Sequence, residues 1–303
     1  MKLVALRALV ASVQEGSLRA AARRMGLSQP ALTKMVRELE QELGASLLVR
    51  STRGVLLTAQ GQVLFEHALN VTRELGLAVD RISQLGGRMA GELAVGAVPL
   101  AVMLLIPETL RTFGKEFPDI RLRVSEELYI AQLQRLRQRE VDVAVGGIPH
   151  GLASGEFVVE TLMATVMVVV VRKGSDRVKA RSLRDLANAK WVYTGASGDE
   201  GYAKILFEAN GLPAPPVGAV VNSTLALLSL VTSGDFVGLL PQQIARHPLA
   251  RESLDVVTVA EGGLPLSVGA IVRSDSATSP LIRHFIAHLH RAARQVSAPA
   301  GRK

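Results

Sequence analysis

The chain has no cysteine, and aromatic residues make up only 4% of its 303 positions. Without cysteine, disulfides, cysteine-ligated metal sites and a cysteine nucleophile are all excluded. No apolar run reaches the roughly 20 residues that a transmembrane helix needs, so we expect no membrane-spanning segment. Hydrophobic residues nevertheless form 48% of the chain, enough to build aliphatic cores in two or three domains.

Motifs typical of enzymes are also missing. The sequence has no Walker loop, no GxGxxG and no full GxSxG motif, since the segment from Gly195 to Asp199 lacks the last glycine. Near the end of the chain, His284 and His288 stand four positions apart, the spacing with which two histidines on a helix share a metal. However, no glutamate follows His284 as in HExxH, and no nearby acid completes a site. We therefore expect no metal, no cofactor and no enzymatic activity.

The first 22 residues have a superficial likeness to a secretory signal peptide. A basic start and an alanine-rich end flank an apolar run, but Arg7 and Gln14 interrupt that run. Because the segment continues directly into the motif described below, we interpret it as part of a folded domain and expect a cytoplasmic protein. Residues 2–14 are predicted to form its first helix, with Leu3, Leu6, Leu9, Val10 and Val13 on the buried face.

Positive charge is concentrated at the start of the chain. The formal net charge is +8, and residues 1–58 hold nine basic residues against four acidic ones, a net charge of +5. Three of those acids, Glu38, Glu40 and Glu42, fall late in a predicted helix. A basic module of this kind is suited to contacts with nucleic-acid phosphates.

Two short helices joined by a tight turn are predicted between Gly16 and Arg53. The first, Leu18 to Met25, is rich in alanine, a strong helix former, and Ser17 precedes it as an N-cap. Gly26 can adopt the left-handed conformation that ends a helix.

The second helix begins after Ser28, a further N-cap, and Pro30 fits its first turn, where a missing N–H costs nothing. Its apolar residues recur with helical period at Ala31, Leu32, Met35, Val36 and Leu39. Two helices joined by such a turn form the helix-turn-helix motif, whose second helix enters the major groove of DNA.

The stretch from Glu15 to Gly61 resembles the winged helix-turn-helix of the LysR-type transcriptional regulators. The pieces SLRAAA, LSQPAL, LEQELG, LLVR and RGVLLT fall in the order and spacing of that family. The resemblance implies an N-terminal all-α winged helix-turn-helix DNA-binding domain over residues 1–58 (helix-turn-helix about 18–37), a linker dimerisation helix over 59–88, and an α/β two-lobed periplasmic-binding-protein-like (type II) effector-binding domain over 89–296. Residues 297–303 are expected to be a disordered tail.

The resemblance also implies partners. These are a double-stranded promoter or operator, a small-molecule effector, and further copies of the chain, as a homodimer through the linker helix that assembles into a homotetramer. RNA polymerase is a further expected partner.

The expected DNA-reading residues lie at the start of the second helix. Glutamine pairs with adenine and lysine donates to guanine, which favours Gln29, Thr33 and Lys34 as readers of base edges. Ser28, at the same solvent-facing start of the helix, is a further candidate reader, and Arg37, one turn on, is expected to contact phosphate. The resemblance implies that Gln29, Pro30, Thr33 and Lys34 face bases or backbone. The alternative is a solvated polar face on an ordinary surface helix.

A wing is predicted from two short strands, Leu47 to Val49 and Val55 to Leu57, around Gly54. Arg53 at its tip is expected to enter the minor groove, where arginine is attracted to narrow A·T-rich segments. The alternative is a bare surface arginine.

A long helix is predicted over Ala59 to Leu85. Its apolar residues step by 4 and 3 through Leu64, Ala68, Val71, Leu75, Ala78, Ile82 and Leu85. That spacing is a heptad seam, which predicts pairing with a second helix. An amphipathic helix lying on its own domain remains the alternative, and Gly76 has no explanation in either.

From Glu92 onward, strand and helix patterns alternate, which predicts a mostly parallel sheet with helices on both faces. Among these elements we expect one helix over Leu100 to Phe113 and strands over 158–162 and 167–171. The family resemblance places two crossing strands between two lobes, near Leu162–Val168 and Gly263–Val268. Lobe one is then expected to comprise about residues 91–163 and 268–296, and lobe two about residues 164–267.

Effector-binding residues are expected where strands of the sheet end, because ligands of open α/β sheets bind there and helix N-termini offer N–H groups. The candidates at these junctions are Val98, Pro99, Leu100, Gly147, Ile148, Ser197, Ser223 and Thr224. Two alternatives stay open. The hydroxyls could simply cap helices, and the effector could be uncharged and largely apolar, because these junctions hold no arginine and Val98–Pro99 offers no side-chain donor.

Two functional hypotheses follow. In the first, the chain is a sequence-specific DNA-binding regulator whose promoter binding or DNA bending is switched by an effector held between two α/β lobes. In the second, the α/β part is an enzyme or a solute-binding domain, and the N-terminal module only binds a partner protein. The missing catalytic motifs and signal peptide favour the first.

Overall fold

The computed structural model describes residues 1–51, 54–86, 89–126, 129–149, 151–152, 155–195 and 201–297. The chain divides into two compact units, Met1–Gly87 and Arg88–Lys303. No helix in the described ranges is both long enough and apolar enough to cross a membrane. Most of the tail predicted to be disordered lies outside the described residues.

The N-terminal unit is three helices, a hairpin and a long helix. In chain order they are α1 (Leu3–Gln14), α2 (Leu18–Arg24), α3 (Gln29–Leu43), β1 (Leu48–Ser51), β2 (Gly54–Leu57) and α4 (Ala59–Leu85). The two strands pair antiparallel, from Leu48 opposite Leu57 to Ser51 opposite Gly54. All six elements were predicted, and the long helix has the predicted bounds.

Helix α1 is the centre of this unit. On one side Leu6 and Leu9 pack with Leu39 of α3 and Ala68 of α4. On the other side Ala8 packs in a cluster that contains residues of α2 and α3. All the other helices of the unit are therefore fixed by their contacts with α1.

The C-terminal unit begins with alternating strands and helices. These are β3 (Gly91–Ala97), α5 (Pro99–Leu104), α6 (Ile106–Glu116), β4 (Ile120–Glu126), α7 (Tyr129–Arg137), β5 (Val143–Gly147) and the long strand β6 (Phe157–Arg172). After two short 3₁₀ helices, Asp176–Lys179 and Leu183–Leu186, come β7 (Lys190–Thr194), α8 (Tyr202–Ala209), β8 (Val217–Val221), α9 (Thr224–Ser233), β9 (Phe236–Pro241), α10 (Gln242–Ala245), α11 (Pro248–Arg251), β10 (Leu254–Val257), β11 (Leu264–Arg273) and α12 (Pro280–Ser297).

The sheet consists of two parallel parts joined by antiparallel strands. β3 pairs parallel with β4 and β5, and β7 pairs parallel with β8 and β9. Between these parts, β6 and β11 pair antiparallel along ten residues of β11. Because β11 also pairs with β5 and β6 also pairs with β9, these two strands belong to both lobes. This is the two-lobed α/β architecture that the sequence predicted.

Two sequence predictions about elements need correction. The single helix expected over Leu100 to Phe113 is two helices, because Pro107, in the first turn of α6, has no N–H to continue a helix from α5. The separate strands expected at 158–162 and 167–171 are one strand, β6. The intervening Met163–Val166 contains no glycine or proline to end a strand. It instead pairs with β11, and the first crossing expected near Leu162–Val168 lies within β6.

Each lobe has its own hydrophobic core. Around Phe113 of α6 and Phe285 of α12, whose rings meet edge to face at 5.4 Å, a mainly aliphatic cluster fills lobe one and continues along the sheet. In lobe two, Trp191 packs edge to face on Phe207 at 5.3 Å. The indole N–H of Trp191 donates to the carbonyl of Leu186 at 3.1 Å.

The first prediction concerns two glycines that lie within helices. A Cβ at Gly61 would overlap the carbonyl oxygen of Leu47, whereas a Cβ at Gly114 would meet nothing within 4 Å. Gly61→Ala should destabilise the chain by about 1–3 kcal/mol through overpacking, whereas Gly114→Ala should stabilise it by about 0.5–1 kcal/mol through helix propensity. Calorimetric unfolding of the full chain measures both, and a rise in the unfolding temperature with Gly61→Ala would refute the close packing of α4 on the backbone of Leu47.

Candidate functional site

Serine caps fix where the helices of the helix-turn-helix begin. The Ser17 hydroxyl accepts from the backbone N–H of Ala20 at 3.4 Å, and the Ser28 hydroxyl accepts from that of Ala31 at 3.3 Å. Gly26, between them, has a φ of 66°, the left-handed conformation expected for the end of α2. Both caps and the turn agree with the sequence prediction.

Helix α3 has one buried and one open face. Leu32, Val36 and Leu39 are at most 4% exposed and pack into the unit. On the other side, Gln29, Pro30, Lys34 and Arg37 are exposed and Thr33 is half-buried. These five side chains line one open groove together with Glu38 and Gln41. The structure therefore brings the predicted DNA-reading residues of α3 together on a single accessible face, with Ser28 exposed at its start.

The ammonium of Lys34 is not held by a strong ion pair. It lies 3.8 Å from the carboxylate of Glu38, one turn along the helix, and both side chains are more than half exposed. Exposed pairs of this kind contribute little because water and salt screen them. The lysine is thus free to exchange this partner for a group on DNA.

The wing is attached to the turn before α2. The N–H of Val55 donates to the carbonyl of Gly16 at 3.0 Å. Gly54, with φ of 115°, lies so close to that carbonyl that a Cβ would overlap it. Glycine is required here by both conformation and space. Arg53, the predicted minor-groove residue, lies outside the described residues.

Glu40 has a role that sequence reasoning missed. Its carboxylate accepts from the backbone N–H groups of Leu47 and Leu48, at 2.8 and 3.2 Å. It therefore joins the recognition helix to the first strand of the wing. In the sequence, Glu40 counted only as an acid placed away from DNA, because nothing in its spacing shows which backbone N–H groups will approach it.

In lobe one, the backbone N–H groups that were expected to bind an anion already donate to carbonyl groups of the protein. The N–H of Val98 donates to the carbonyl of Val145 at 2.9 Å, and that of Ile148 donates to the carbonyl of Ser267 at 2.8 Å. Pro99 has no N–H, and the Leu100 side chain is buried in the lobe-one core. A Cβ at Gly146 would lie 2.8 Å from Val98 Cγ1, so Val98 packs tightly against the end of β5 beside Gly147.

In lobe two, the hydroxyls at the start of α9 are not caps. Ser223 occupies the N-cap position of α9, but its side chain makes no capping hydrogen bond. Ser223 and Thr224 are both half-buried, and within the described part of the chain neither hydroxyl has a hydrogen-bond partner. This disagrees with the alternative that they only cap the helix. Ser197 lies outside the described residues.

The histidine pair of α12 has structural partners. His288, 2% exposed, lies with Nδ1 at 2.7 Å from the Thr112 hydroxyl and Nε2 at 3.2 Å from the Glu116 carboxylate. Its burial is the main cause that lowers its pKa. His284 instead packs against the ring of Phe117. Across the ranges that the structure describes, no three histidine, cysteine or acidic side chains are placed to hold a metal ion.

Two family models match the chain. Residues 3–62 match the bacterial regulatory helix-turn-helix protein model of the lysR family, and residues 86–294 match the LysR substrate binding domain. Together they span the N-terminal unit and both lobes.

The chain belongs to the LysR family of transcriptional regulators.

Relatives along most of the chain carry regulator names. The HTH-type transcriptional regulator GalR of Pseudomonas putida is 30% identical over 283 residues, covering 91% of this chain and 70% of GalR. The HTH-type transcriptional regulator TdcA of Escherichia coli strain K12 is 26% identical over 264 residues, covering 86% of this chain and 83% of TdcA.

Solved structures confirm the fold. The LysR family regulator CbnR superposes with a TM-score of 0.69 at 22% identity, covering 97% of this chain and 99% of CbnR. Full-length CbnR complexed with its target DNA gives a TM-score of 0.71 at 23% identity, covering 96% of this chain and all of that chain.

The predicted family, fold class and function are therefore confirmed. This LysR family member is a transcriptional regulator with a DNA-binding helix-turn-helix and an effector-binding domain, and it is not an enzyme. The rival hypothesis, in which the α/β part is an enzyme or a solute-binding domain and the N-terminal module only binds a partner protein, is therefore wrong. Double-stranded DNA and a small-molecule effector are its partners at the level of the family.

The second prediction tests Glu40. Glu40→Ala removes the acceptor of two backbone N–H groups, which should lower the stability of the N-terminal unit by about 1.5–3 kcal/mol, as for hydrogen bonds to charged groups. Glu38→Ala, on the same helix, removes only the exposed pair with Lys34 and should change stability by less than about 0.5 kcal/mol. Thermal unfolding of the full-length variants compares them, and equal effects would show that Glu40 does not hold the wing.

Proposed function

We propose that Gln29, Thr33 and Lys34 read base edges in the major groove. In this proposal Ser28 and Pro30, at the start of α3, lie against the DNA backbone. Arg37 contacts phosphate, and Arg53 enters the minor groove from the wing. The observation that carries this assignment is the division of α3 into a buried apolar face and an exposed face. Because the Ser28 cap fixes where α3 begins, the first residues of its exposed face are accessible, as docking in the major groove requires.

The charge of the N-terminal region supports the same assignment. Residues 1–58 carry +5, and phosphate contacts by Lys and Arg release counterions from DNA. We therefore propose that binding to the operator weakens steeply as salt concentration rises.

We propose the domain division made from the sequence, namely 1–58 for the DNA-binding domain, 59–88 for the linker helix and 89–296 for the effector-binding domain. Along α4, Leu64 and Ala68 pack into the N-terminal unit. Beyond them, the apolar side chains of Val71, Leu75, Val79 and Ile82 are 42 to 70% exposed. We infer that this second set pairs with the same helix of another copy to form the homodimer.

Two dimers assemble into a homotetramer in our proposal, which lets one assembly occupy two neighbouring operator sites. The protein acts in the cytoplasm, where its DNA is, and contacts RNA polymerase at the bound promoter. An effector in the cleft shifts the two lobes and thereby the packing of the copies, which changes the spacing or bend of the DNA.

We assign the effector site to the junctions at the ends of the strands. The residues are Val98, Pro99, Leu100, Gly147, Ile148, Ser197, Ser223 and Thr224. Support comes from the hydroxyls of Ser223 and Thr224, which have no hydrogen-bond partner among the residues that the structure describes. Leu100 is buried, so it supports this site from within the lobe-one core and does not contact the effector directly. Since the backbone N–H groups of Val98 and Ile148 are already bonded, lobe one supplies mostly apolar surface.

The third prediction separates base readout from phosphate contact. Gln29→Ala should cost about 1–3 kcal/mol of operator binding and relax the preference at one base pair. Arg37→Ala should weaken binding to all sequences alike. It should also reduce by about 1 the slope of log affinity against log salt concentration. Gln41→Ala, a glutamine on the same exposed groove but three turns further, is the control and should bind as the unchanged chain does. Fluorescence anisotropy at several salt concentrations measures all three.

The operator for this experiment is selected from random duplexes. Equal losses for Gln29→Ala and Gln41→Ala, or a salt slope near zero for the unchanged chain, would contradict the assignment.

The fourth prediction tests the linker pairing. Ile82→Glu places a charge on the exposed apolar side of α4 and should turn dimers into monomers, because an unpaired charge at a desolvated contact is costly. Leu249→Glu changes an equally exposed apolar residue, 78% exposed, in the other unit and should leave the assembly intact. Sedimentation velocity distinguishes the two outcomes, and a dimer that survives Ile82→Glu would rule out pairing through this part of α4.

A further inference from the structure

Tyr202 connects the two lobes across the cleft. It is the first residue of α8, and its ring is half-buried against the lobe-two core. Its hydroxyl reaches Gly147, at the end of β5 in lobe one, where it lies 3.6 Å from the position that a Cβ would occupy. Leu266 of β11 meets the same point at 3.4 Å. The phenol therefore lies at the expected effector site, although sequence reasoning did not select it.

The hydroxyl of Tyr202 has no hydrogen-bond partner within the described ranges. This contrasts with Tyr193 of the same lobe, whose hydroxyl donates to the carbonyl of Pro215 at 3.0 Å. Burial raises the pKa of Tyr202, so the phenol stays protonated and can donate at neutral pH. A partly desolvated donor without an acceptor is unfavourable, which a ligand oxygen at this point would relieve.

The surroundings of the hydroxyl restrict the ligand. Val98 packs against Gly146, and Ile148 packs against Gly269, so the lobe-one side of the cleft is mainly aliphatic, with the amide oxygen of Gln132 as a polar group near Gly146. The junction segments that the structure describes in full, 97–100, 146–148 and 222–224, contain no lysine or arginine. A multiply charged anion would find no cationic side chain there to compensate its desolvation. Polar recognition falls to a few hydroxyl groups.

We propose that the Tyr202 hydroxyl is a specificity-determining hydrogen-bond donor to the effector, and that the effector is a largely apolar small molecule with an oxygen acceptor and at most one negative charge. This inference rests on the proposed effector site between the lobes. Gly147 leaves the space in which the ligand oxygen approaches the phenol. The ligand thereby contacts both lobes at once.

The test uses the full-length chain and four named probes. Benzyl alcohol and benzamide are uncharged and carry oxygen, benzoate has one charge, and citrate has several. Thermal unfolding with increasing probe reports binding, since a ligand of the folded state raises the midpoint. At least one of the first three probes should raise the midpoint of the unchanged protein, and citrate should not.

Tyr202→Phe should weaken the response to that probe by about tenfold, the loss of one hydrogen bond to a ligand. Without a probe, its midpoint should equal that of the unchanged chain, because the hydroxyl bonds to no group in the described part of the protein. Tyr193→Phe is the matched control and should show the reverse, a lower midpoint without a probe and an unchanged response.

A second pair of variants tests the space beside the phenol. Gly147→Ala adds a methyl group at ordinary contact distance from Leu266 and Tyr202, so it should fold normally yet abolish the response. Gly96→Ala adds the same group 3.5 Å from Gln132 and Val141, and should keep the response.

The proposal is overturned if Tyr202→Phe responds as the unchanged protein does, if citrate is the only active probe, or if none of the four raises the midpoint. Failure of the proposed regulatory function has a different signature. In that case a probe would raise the midpoint in a Tyr202-dependent manner, but operator affinity measured with and without it would be the same.

Discussion

The packing of α3 on α1 is the contact on which DNA recognition depends. Leu32, Val36 and Leu39 are buried, and this sets the rotation of the recognition helix about its own axis. Once that rotation is fixed, helical periodicity places Gln29, Thr33 and Lys34 on the opposite side. The same helix also holds the wing, through the carboxylate of Glu40 and two backbone N–H groups. The side chains proposed to read bases and the wing are thus held in one arrangement by α3.

A comparable constraint organises the effector-binding domain. β6 and β11 run through both lobes, so any change in the angle between the lobes must be absorbed along these strands or at their register shift between Val268 and Gly269. The cleft lies beside them, where Leu266 of β11 and Tyr202 of α8 meet Gly147 of β5. An effector at this point would contact elements of both lobes, which is the requirement for a ligand that shifts their equilibrium.

The sequence predicted most of the local structure, because the signals were local. Ser17, Ser28 and Gly26 define helix ends by their own chemistry, and the spacing of apolar residues in α3 and α4 defines their buried sides. The break between α5 and α6 was visible in the sequence as Pro107. We nevertheless predicted one helix, because apolar residues continue on both sides of the proline. The length of β6 was not predictable locally, since pairing with a distant strand keeps residues 163–166 extended.

The site was predicted unevenly for the same reason. Residues of α3 follow from periodicity within one helix, so the structure brings them together as expected. Glu40 bonds to backbone N–H groups that lie beyond the end of its own helix, and Tyr202 contacts Gly147, far away along the chain, so no spacing rule shows either contact. Likewise, the N–H groups of Val98 and Ile148 appeared available in the sequence, whereas their acceptors lie on β5 and β11.

The account depends most on major-groove entry by α3, and methylation interference tests it directly. An operator selected from random duplexes is methylated at guanine N7, which lies in the major groove, and at adenine N3, which lies in the minor groove. Our account predicts that guanine N7 methylation blocks binding in two related half-sites on one side of the duplex. Interference confined to adenine N3, or none at either position, would contradict it.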